Sequence, residues 1–463
     1  EEGIEPIVRF APDLIGVTAM TNNYHSAREM IGLLKGRLSC PIVMGGPHAT
    51  LFPERMITGD GIASAAIDYV VVGEGEDTLR DLVRALGAYG FHPPEAVLSD
   101  IRGLVWARNG QVVRNPERPL RQDLDALPFP ARHLFALERY GLCAPGGEPM
   151  VTVLSSRGCP YHCSYCFKGI VGRTYRQRSP ENVLRELKLL TDDYGYRHVY
   201  FIDDLFTYDP ERLAAICQGM IAAELDLRWQ CLARVDRVRP ELLRLMYRAG
   251  CREVHYGIES GNPQILRHLG KGITLEQVRQ AVAWTVEAGI LVKGYFMLGL
   301  PGDTLETMQQ TIELAAELEL DQAMFSLTTP FPGTRLWDEL VAREPGIEFD
   351  HDFSRAFYYA NYEQTVEPFF NLSHVSDGEL TRLAAEAQAR FQEAKRRRKY
   401  VRALGSQLGG LCYRLSTIRP LRRMGHALLN LPPVRDLRRR GSLHRLASLG
   451  HYDLQEEFSQ KWN

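Results

Sequence analysis

The chain has 463 residues, 45% hydrophobic and 24% charged, the balance of a soluble globular protein of roughly three domains. No run of about 18 or more apolar residues occurs, which excludes a membrane-spanning helix, and nine cysteines in so long a chain exclude a disulfide scaffold. The net charge of −2 hides an asymmetry: Lys395 to Gly450 holds 15 Lys/Arg and one acid, Asp436, so that segment carries +14 and the remainder −16. An acidic body is not a nucleic-acid binder.

Residues 13 to 90 alternate short apolar runs ending in turn residues, "DLIGVTAM", "PIVMGG" and "YVVVGEG", with stretches of mixed polarity such as "YHSAREMIGLLKGRL". This pattern predicts a parallel α/β sheet with crossover helices. Three strands are few for a doubly wound domain, so either the domain is small or its first strand–helix–strand lies upstream of Glu1. "GLVWARNGQVVRN" (103–115) reads as a hairpin about Asn109-Gly110, and a Pro-rich linker centred on "DALPFPARHLF" follows.

From Met150 the alternation resumes over "VTVLSS", "HVYFIDD", "RWQCLARVD", "EVHYGIES", "LVKGYFMLGL" and "DQAMFSLTT", with helices between. Six βα units in succession predict a partial barrel, with its chemistry at the C-terminal ends of the strands. Polar residues gather at those ends: Asp203 and Asp204, Arg234 and Asp236, Glu259 and Ser260, and the Gly299–Gly302 turn. "PFPGT" (330–334) reads as a connecting turn, with a place beside a substrate as the alternative. From Ser376 an amphipathic helix carries Leu380, Leu383, Ala387 and Phe391 on one stripe and ends in consecutive basic residues.

"SRGCPYHCSYCF" (156–167) places Cys159, Cys163 and Cys166 in one loop after the first of these strands, with no fourth cysteine near. A structural zinc site closes with four ligands, and four-iron clusters normally take four thiolates. Three thiolates leave one iron open, and an open position separates a catalytic metal from a structural one. Cys40, Cys143, Cys217, Cys231, Cys251 and Cys412 stand singly and are expected to be buried small hydrophobes. A reducing, cytosolic compartment suits this usage.

The C-x3-C-x2-C loop resembles that of radical S-adenosylmethionine (SAM) enzymes. That resemblance implies a [4Fe-4S] cluster on Cys159, Cys163 and Cys166, SAM chelated by the open iron, and reductive cleavage of SAM to a 5′-deoxyadenosyl radical. It implies that Tyr165 lies by the adenine and that "GYFMLGLPGDT", through Gly299, frames it. Arg234, Glu259 and Ser260 would contact the amino-acid or ribose parts of SAM. For Arg234, an ion pair with Asp236 or Glu259 at the barrel mouth is the open alternative. An electron donor of the flavodoxin or ferredoxin type follows from the same resemblance.

"VMGGPHATLFPE" and "VVVGEGEDTLRDLV" resemble the cobalamin-binding domain that precedes the barrel in one branch of these enzymes, the branch of the class B radical SAM methyltransferases. Thr18, Gly45, Gly46, Gly73 and Gly75 would then face the corrinoid, the glycines letting backbone approach it closely. The alternative is an α/β domain whose glycines only make turns. The D-x-H-x-x-G motif that supplies a cobalt-ligating histidine in some cobalamin domains does not occur in these residues; either it falls upstream of Glu1 or this member of the branch lacks it, and His48 is not at its position, so the lower axial ligand of cobalt is left open. The division expected is residues 1–100 as a Rossmann-like cobalamin-binding domain, 101–149 as hairpin and linker, 150–345 as a (β/α)6 partial TIM barrel, and 346–463 as a helical basic region.

The function implied is cobalamin-dependent methylation of an unactivated carbon in a small-molecule or lipid substrate. The alternatives are a non-methylating radical SAM enzyme of the same build (cyclase, ring contraction or oxidation) and a non-catalytic corrinoid sensor or carrier. The Leu- and Arg-rich tail suggests peripheral contact with an anionic membrane surface, with a solvated helical tail as the alternative. Its scarcity of aromatics argues against nucleic acid.

Overall fold

The computed structural model describes residues 2–58, 67–144, 147–344, 346–347, 353 and 367–416. A first sheet has the order β1 (Ile15–Thr18), β2 (Ile42–Gly45), β3 (Tyr69–Val71), β4 (Leu104–Arg108), β5 (Gln111–Arg114). The first three strands are parallel, as the alternation predicts. The hairpin joins them antiparallel through β4, continuing the same sheet. Its turn residues Asn109 and Gly110 have φ of 49° and 77°, the left-handed pair that a tight hairpin needs. Strand β2 is buried on both faces, with Ile42 and Met44 packing to one side and Val43 to the other.

The second sheet takes its strands in the order β13 (Gln322–Leu327), β12 (Leu291–Leu298), β11 (Cys251–Glu259), β10 (Arg228–Ala233), β9 (His198–Phe201), β6 (Met150–Val153). All its pairings are parallel. Its two edges do not pair with each other, so the barrel is partial, as expected from six βα units. Between them in sequence, a two-residue ladder, β7 (Ser156–Arg157) with β8 (Arg176–Gln177), closes the base of the cysteine loop. Phe201, Phe206 and Trp229 lock the layer between sheet and helices, with the two phenyl rings stacked 4.3 Å apart.

The helix expected after Ser376 runs Asp377–Leu404, with Ser376 and Glu379 forming a capping box. Its predicted stripe of Leu380, Leu383, Ala387 and Phe391 is buried in the barrel's core. The basic end of this helix is partly spent inside the molecule. Lys395 Nζ donates to the Asp321 carbonyl at 2.6 Å, Arg402 pairs with Glu319 at 2.8 Å, and Arg398 donates to the carbonyl of Ala316. The rest of the basic tail, from residue 417, lies outside the described residues. Of the six scattered cysteines, four are buried as expected, while Cys143 and Cys412 are half-exposed. Among the described residues no helix is long and apolar enough to cross a membrane.

Phe391 is fully buried where this helix meets the barrel. Phe391→Ala is expected to cost about 3–5 kcal/mol, read as a lower denaturant midpoint; a change below about 1 kcal/mol would mean the helix does not belong to the core.

Candidate active site

The cysteine loop is fixed at its base before any ligand is considered. Gly158, at φ 85°, sits so close to the Thr174 carbonyl that a side chain there would collide with it. The three cysteines are half-buried. Burial pushes the Cys166 thiol up and the Lys168 ammonium pulls it down, while Asp204 and the thiols of Cys163 and Cys159 add to the rise. The three sulfurs therefore share one field. Among the described residues no three Cys, His, Asp or Glu side chains converge on a single ion. A four-iron cluster makes a different demand, since its thiolates stand at separate corners. A donor set of three soft thiols in one loop fits such a cluster and leaves one corner for another ligand.

The two aspartates of "FIDD" hold opposite ends of this loop. Asp203 is fully buried and accepts from Ser155 N at 3.1 Å, Ser155 Oγ at 2.8 Å and Ser156 Oγ at 2.5 Å. Asp204 pairs with Lys168, two residues past the last cysteine, at 2.8 Å. One carboxylate thus grips the start of the loop and the other its end.

At the barrel mouth Glu259 ends β11 with φ 70°, a left-handed conformation that is rare for a side-chain-bearing residue and typical of strain held at functional sites. Tyr165 Oη donates to Glu259 Oε1 at 2.9 Å, and Lys271 Nζ donates to the same oxygen at 2.8 Å and to Tyr165 Oη at 2.9 Å. Burial, then the Glu259 charge, holds the Tyr165 phenol well above its ordinary value, so it stays a donor. Gly257 makes room for this triad: a Cβ there would lie 2.5 Å from Glu259 Oε1 and 2.8 Å from Lys271 Nζ. Lys271 is the residue that sequence reasoning missed. Its signal was weak, a lysine between Gly270 and Gly272, both of which take positive φ.

The other expected SAM residues are placed as follows. Arg234 makes the barrel-mouth ion pair with Asp236 at 2.9 and 3.2 Å and donates to the Lys271 carbonyl at 2.8 Å. Its guanidinium also lies 3.6 Å from the ring centre of Tyr161, in the cysteine loop. Ser260 is fully buried against Thr311 at 3.2 Å and accepts from Asn262 N at 3.1 Å. Gly299, at φ 80°, lies under the C-terminal helix, where a Cβ would press to 2.7 Å on Leu380. The next residue, Leu300, forms a small buried cluster with Ile265 and Leu269, against which Tyr165 and Met297 pack.

All five residues expected to face a corrinoid, Thr18, Gly45, Gly46, Gly73 and Gly75, line one cavity of about 600 Å³. Its opposite wall comes from the barrel half: Leu154, Arg157, Ile170 and Val171. Gly46 has φ 90°, and a Cβ there would strike the Thr18 hydroxyl, while a Cβ on Gly73 would meet no atom within 4 Å. His48 is buried and stacked on Tyr24 at 3.9 Å, and its pKa is lowered to about 3 by burial. It is a neutral packing residue outside the cavity lining. "PFPGT" is more than a plain turn: a Cβ on Gly333 would lie 2.5 Å from Leu51 of the first domain and 2.9 Å from Phe167, next to Cys166.

The wall of this cavity is tied together by Glu74, which sequence reasoning also missed. Arg176 donates to both of its oxygens at 2.9 Å, and Arg157 approaches at 3.2 Å while reaching Glu76 at 2.5 Å. Burial alone would raise the Glu74 carboxyl, but Arg176 and Arg157 hold it below its ordinary value.

The Radical SAM superfamily matches residues 153–315 and the B12 binding domain matches residues 1–83. An uncharacterised methyltransferase of Pyrococcus horikoshii is 34% identical over 83% of this chain and 80% of its own length. The chain belongs to the cobalamin-binding branch of the radical SAM enzymes. The anaerobic magnesium-protoporphyrin IX monomethyl ester cyclase of Rubrivivax gelatinosus is 29% identical over 75% of this chain, which spans 61% of that protein. In fold, the radical SAM methyltransferase TsrM of Kitasatospora setae, solved with tryptophan and a SAM analogue, aligns with a TM-score of 0.63 at 23% identity, over 75% of this chain and 68% of that one. The cofactors of this branch are a [4Fe-4S] cluster, SAM and cobalamin.

Glu74→Gln is expected to leave Arg176 buried without a counter-charge, at a cost of about 3–5 kcal/mol. Because the folded-state pKa lies below the unfolded one, the wild-type pair stabilises above the ordinary carboxylate range, and its contribution is lost as pH falls through the lowered value. Urea midpoints at pH 7 and pH 3 should therefore differ less for the variant than for the wild type; equal differences would dismiss the pair as a stabilising contact.

Proposed function

We propose that the protein is a cobalamin-dependent radical SAM methyltransferase acting on an unactivated carbon. The observation that carries this reading is the shared cavity, whose one wall is the glycine-rich strand ends of the first domain and whose other wall flanks the cysteine loop. When bound, the cluster supplies the electron that splits SAM into a radical, and cobalamin supplies the methyl group.

In this reading Cys159, Cys163 and Cys166 hold the cluster, and Tyr165, Arg234, Glu259 and Gly299 form the SAM side of the site. Lys271 presents its ammonium beside the Glu259 carboxylate, a set suited to the paired amino and carboxylate groups of an amino acid, while Tyr165 lies by the adenine. Both side chains are already held by Glu259, so no flexible side chain must be ordered when SAM arrives. Ser260 supports the same side of the site through the turn that starts the helix Pro263–His268. Thr18, Gly45, Gly46, Gly73 and Gly75 cradle the corrinoid, and the apolar Leu154, Ile170 and Val171 exclude water from the side facing SAM.

Anaerobic reconstitution should load about four irons and one cobalt per chain. Reduced protein with SAM should then form both 5′-deoxyadenosine and S-adenosylhomocysteine. Deoxyadenosine alone would favour the non-methylating alternative, and neither product would revive the carrier. Lys271→Met is expected to weaken SAM binding about tenfold or more, measured by the SAM-induced change in the cluster's EPR spectrum, with iron content unchanged; wild-type affinity would remove Lys271 from the site.

A lipid or isoprenoid acceptor, met through peripheral contact of the basic tail with an anionic leaflet, is supported by the +14 charge between Lys395 and Gly450. The full chain should then float with phosphatidylserine-rich liposomes and lose flotation when truncated after residue 416. Equal behaviour of the two chains would end the membrane reading.

A further inference from the structure

In a closed βα barrel the side chains that point inward fill the interior. In this partial barrel they do not. Along β9, β10, β12 and β13 the residues facing the helices are buried, whereas those alternating with them are half-buried or exposed. Trp229, Phe296 and Phe325 belong to the core beneath the helices, while Gln230, Tyr295 and Met324 stand on the opposite, inner face. That face is concave. Tyr200 on β9 and Tyr295 on β12 are separated by two strands, yet both hydroxyls meet Nδ1 of His255 on β11, at 3.3 and 3.4 Å. His255 precedes Gly257 and Glu259 on the same strand, so a lined hollow runs down the inside of the barrel from the site of Tyr165, Glu259 and Lys271.

The two sides of the hollow differ in chemistry. Toward β6 and β9 it is apolar: Leu154 and Ile202, just past the ends of those strands, are 37% and 42% exposed, and Leu154 also lines the glycine-rich cavity. Toward β11 and β12 it is polar. His255 lies 2.9 Å from the Glu253 carboxylate, and both are buried. Lys293 stands in register beside His255 on the next strand. Its ammonium lies 5.3 Å from the ring centre of Tyr295 and meets no carboxylate within ion-pair distance among the described residues. Burial holds that ammonium below its ordinary value, and the Glu253 charge offsets this only in part. A half-buried cation whose nearest acid is engaged by a histidine lacks a counter-ion, and an anion placed in the hollow would supply one.

We infer that Lys293 anchors an acidic group of the substrate inside the barrel, so that the substrate class is a small molecule with a carboxylate or phosphate at one end and an apolar body at the other. The acid meets Lys293 beside Tyr200 and Tyr295, and the body runs along Leu232 and Ile202 to Leu154, which puts its far carbons next to the corrinoid cavity. The inference rests on the proposed function and names the class of acceptor for it. His255, held by Glu253, keeps the two phenols in place as the polar wall. A neutral analogue of the same shape leaves the ammonium without a partner, and a site built around a buried polar group discriminates strongly against such a ligand.

The test is the binding of octanoate, octyl phosphate and octanol to the reconstituted holoenzyme with SAM, by anaerobic calorimetric titration. The wild type should bind one of the two acids about tenfold or more tighter than octanol, and the tighter of the two identifies the acid. Lys293→Met should abolish that preference with iron and cobalt content unchanged, and Lys293→Arg should keep it. Ile202→Asn, at an exposed position, should weaken acids and alcohol alike. Equal affinity of the wild type for acids and octanol, or no binding of either acid, overturns the anchor. So does an acid preference that survives in Lys293→Met, and unchanged binding in Ile202→Asn overturns the path of the apolar body. Absence of deoxyadenosine from dithionite-reduced wild type with SAM overturns the enzyme reading instead, an outcome read without any of the probes.

Discussion

The carboxylate of Glu74 is the joint on which the two halves of this protein are set, because its partners are the two flanks of the cysteine loop. Arg157 lies in β7 and Arg176 in β8, the strands that pair to close the loop's base. Glu74 itself stands between Gly73 and Gly75 at the end of β3, in the wall of the cavity. One buried carboxylate therefore fixes the distance between the strand ends of the first domain and the loop. A bidentate guanidinium pair is suited to that task, since it sets orientation as well as separation. Breaking it would leave charge buried in the same place, so the joint resists slipping.

From the barrel side the loop is held by Asp203 and Asp204, and across its crown by Tyr165, Glu259 and Lys271. These contacts need no cofactor. A loop fixed in this way offers its thiols in a set arrangement, and binding energy is not spent on ordering it. The same economy explains the left-handed Glu259. Its strain is met by the hydrogen bonds of Tyr165 and Lys271 and by the space that Gly257 leaves.

The sheets were legible in the sequence because parallel strands buried on both faces write themselves as unbroken apolar runs, such as "YVVV". The C-terminal helix was legible through its apolar stripe. The cysteine loop stood out because three cysteines in so short a stretch have few structural uses. What escaped was of one kind: single charged residues that act across long sequence separations. Lys271 meets Tyr165 from 106 positions away, and Arg176 meets Glu74 from 102. Neither leaves a local pattern, since a contact between distant stretches of the chain has no period and no fixed spacing. Arg234 shows the converse. Its nearby Asp236 made the plain ion pair readable, and that pair is what the structure contains.

Charge placement decides how much of the basic C-terminal helix remains for a partner. At the end of the C-terminal helix, Lys395 and Arg398 donate to carbonyls and Arg402 meets Glu319, so part of that charge satisfies the helix Leu305–Glu317 and the start of β13. A count of arginines along the sequence overstates what such a region presents to a partner.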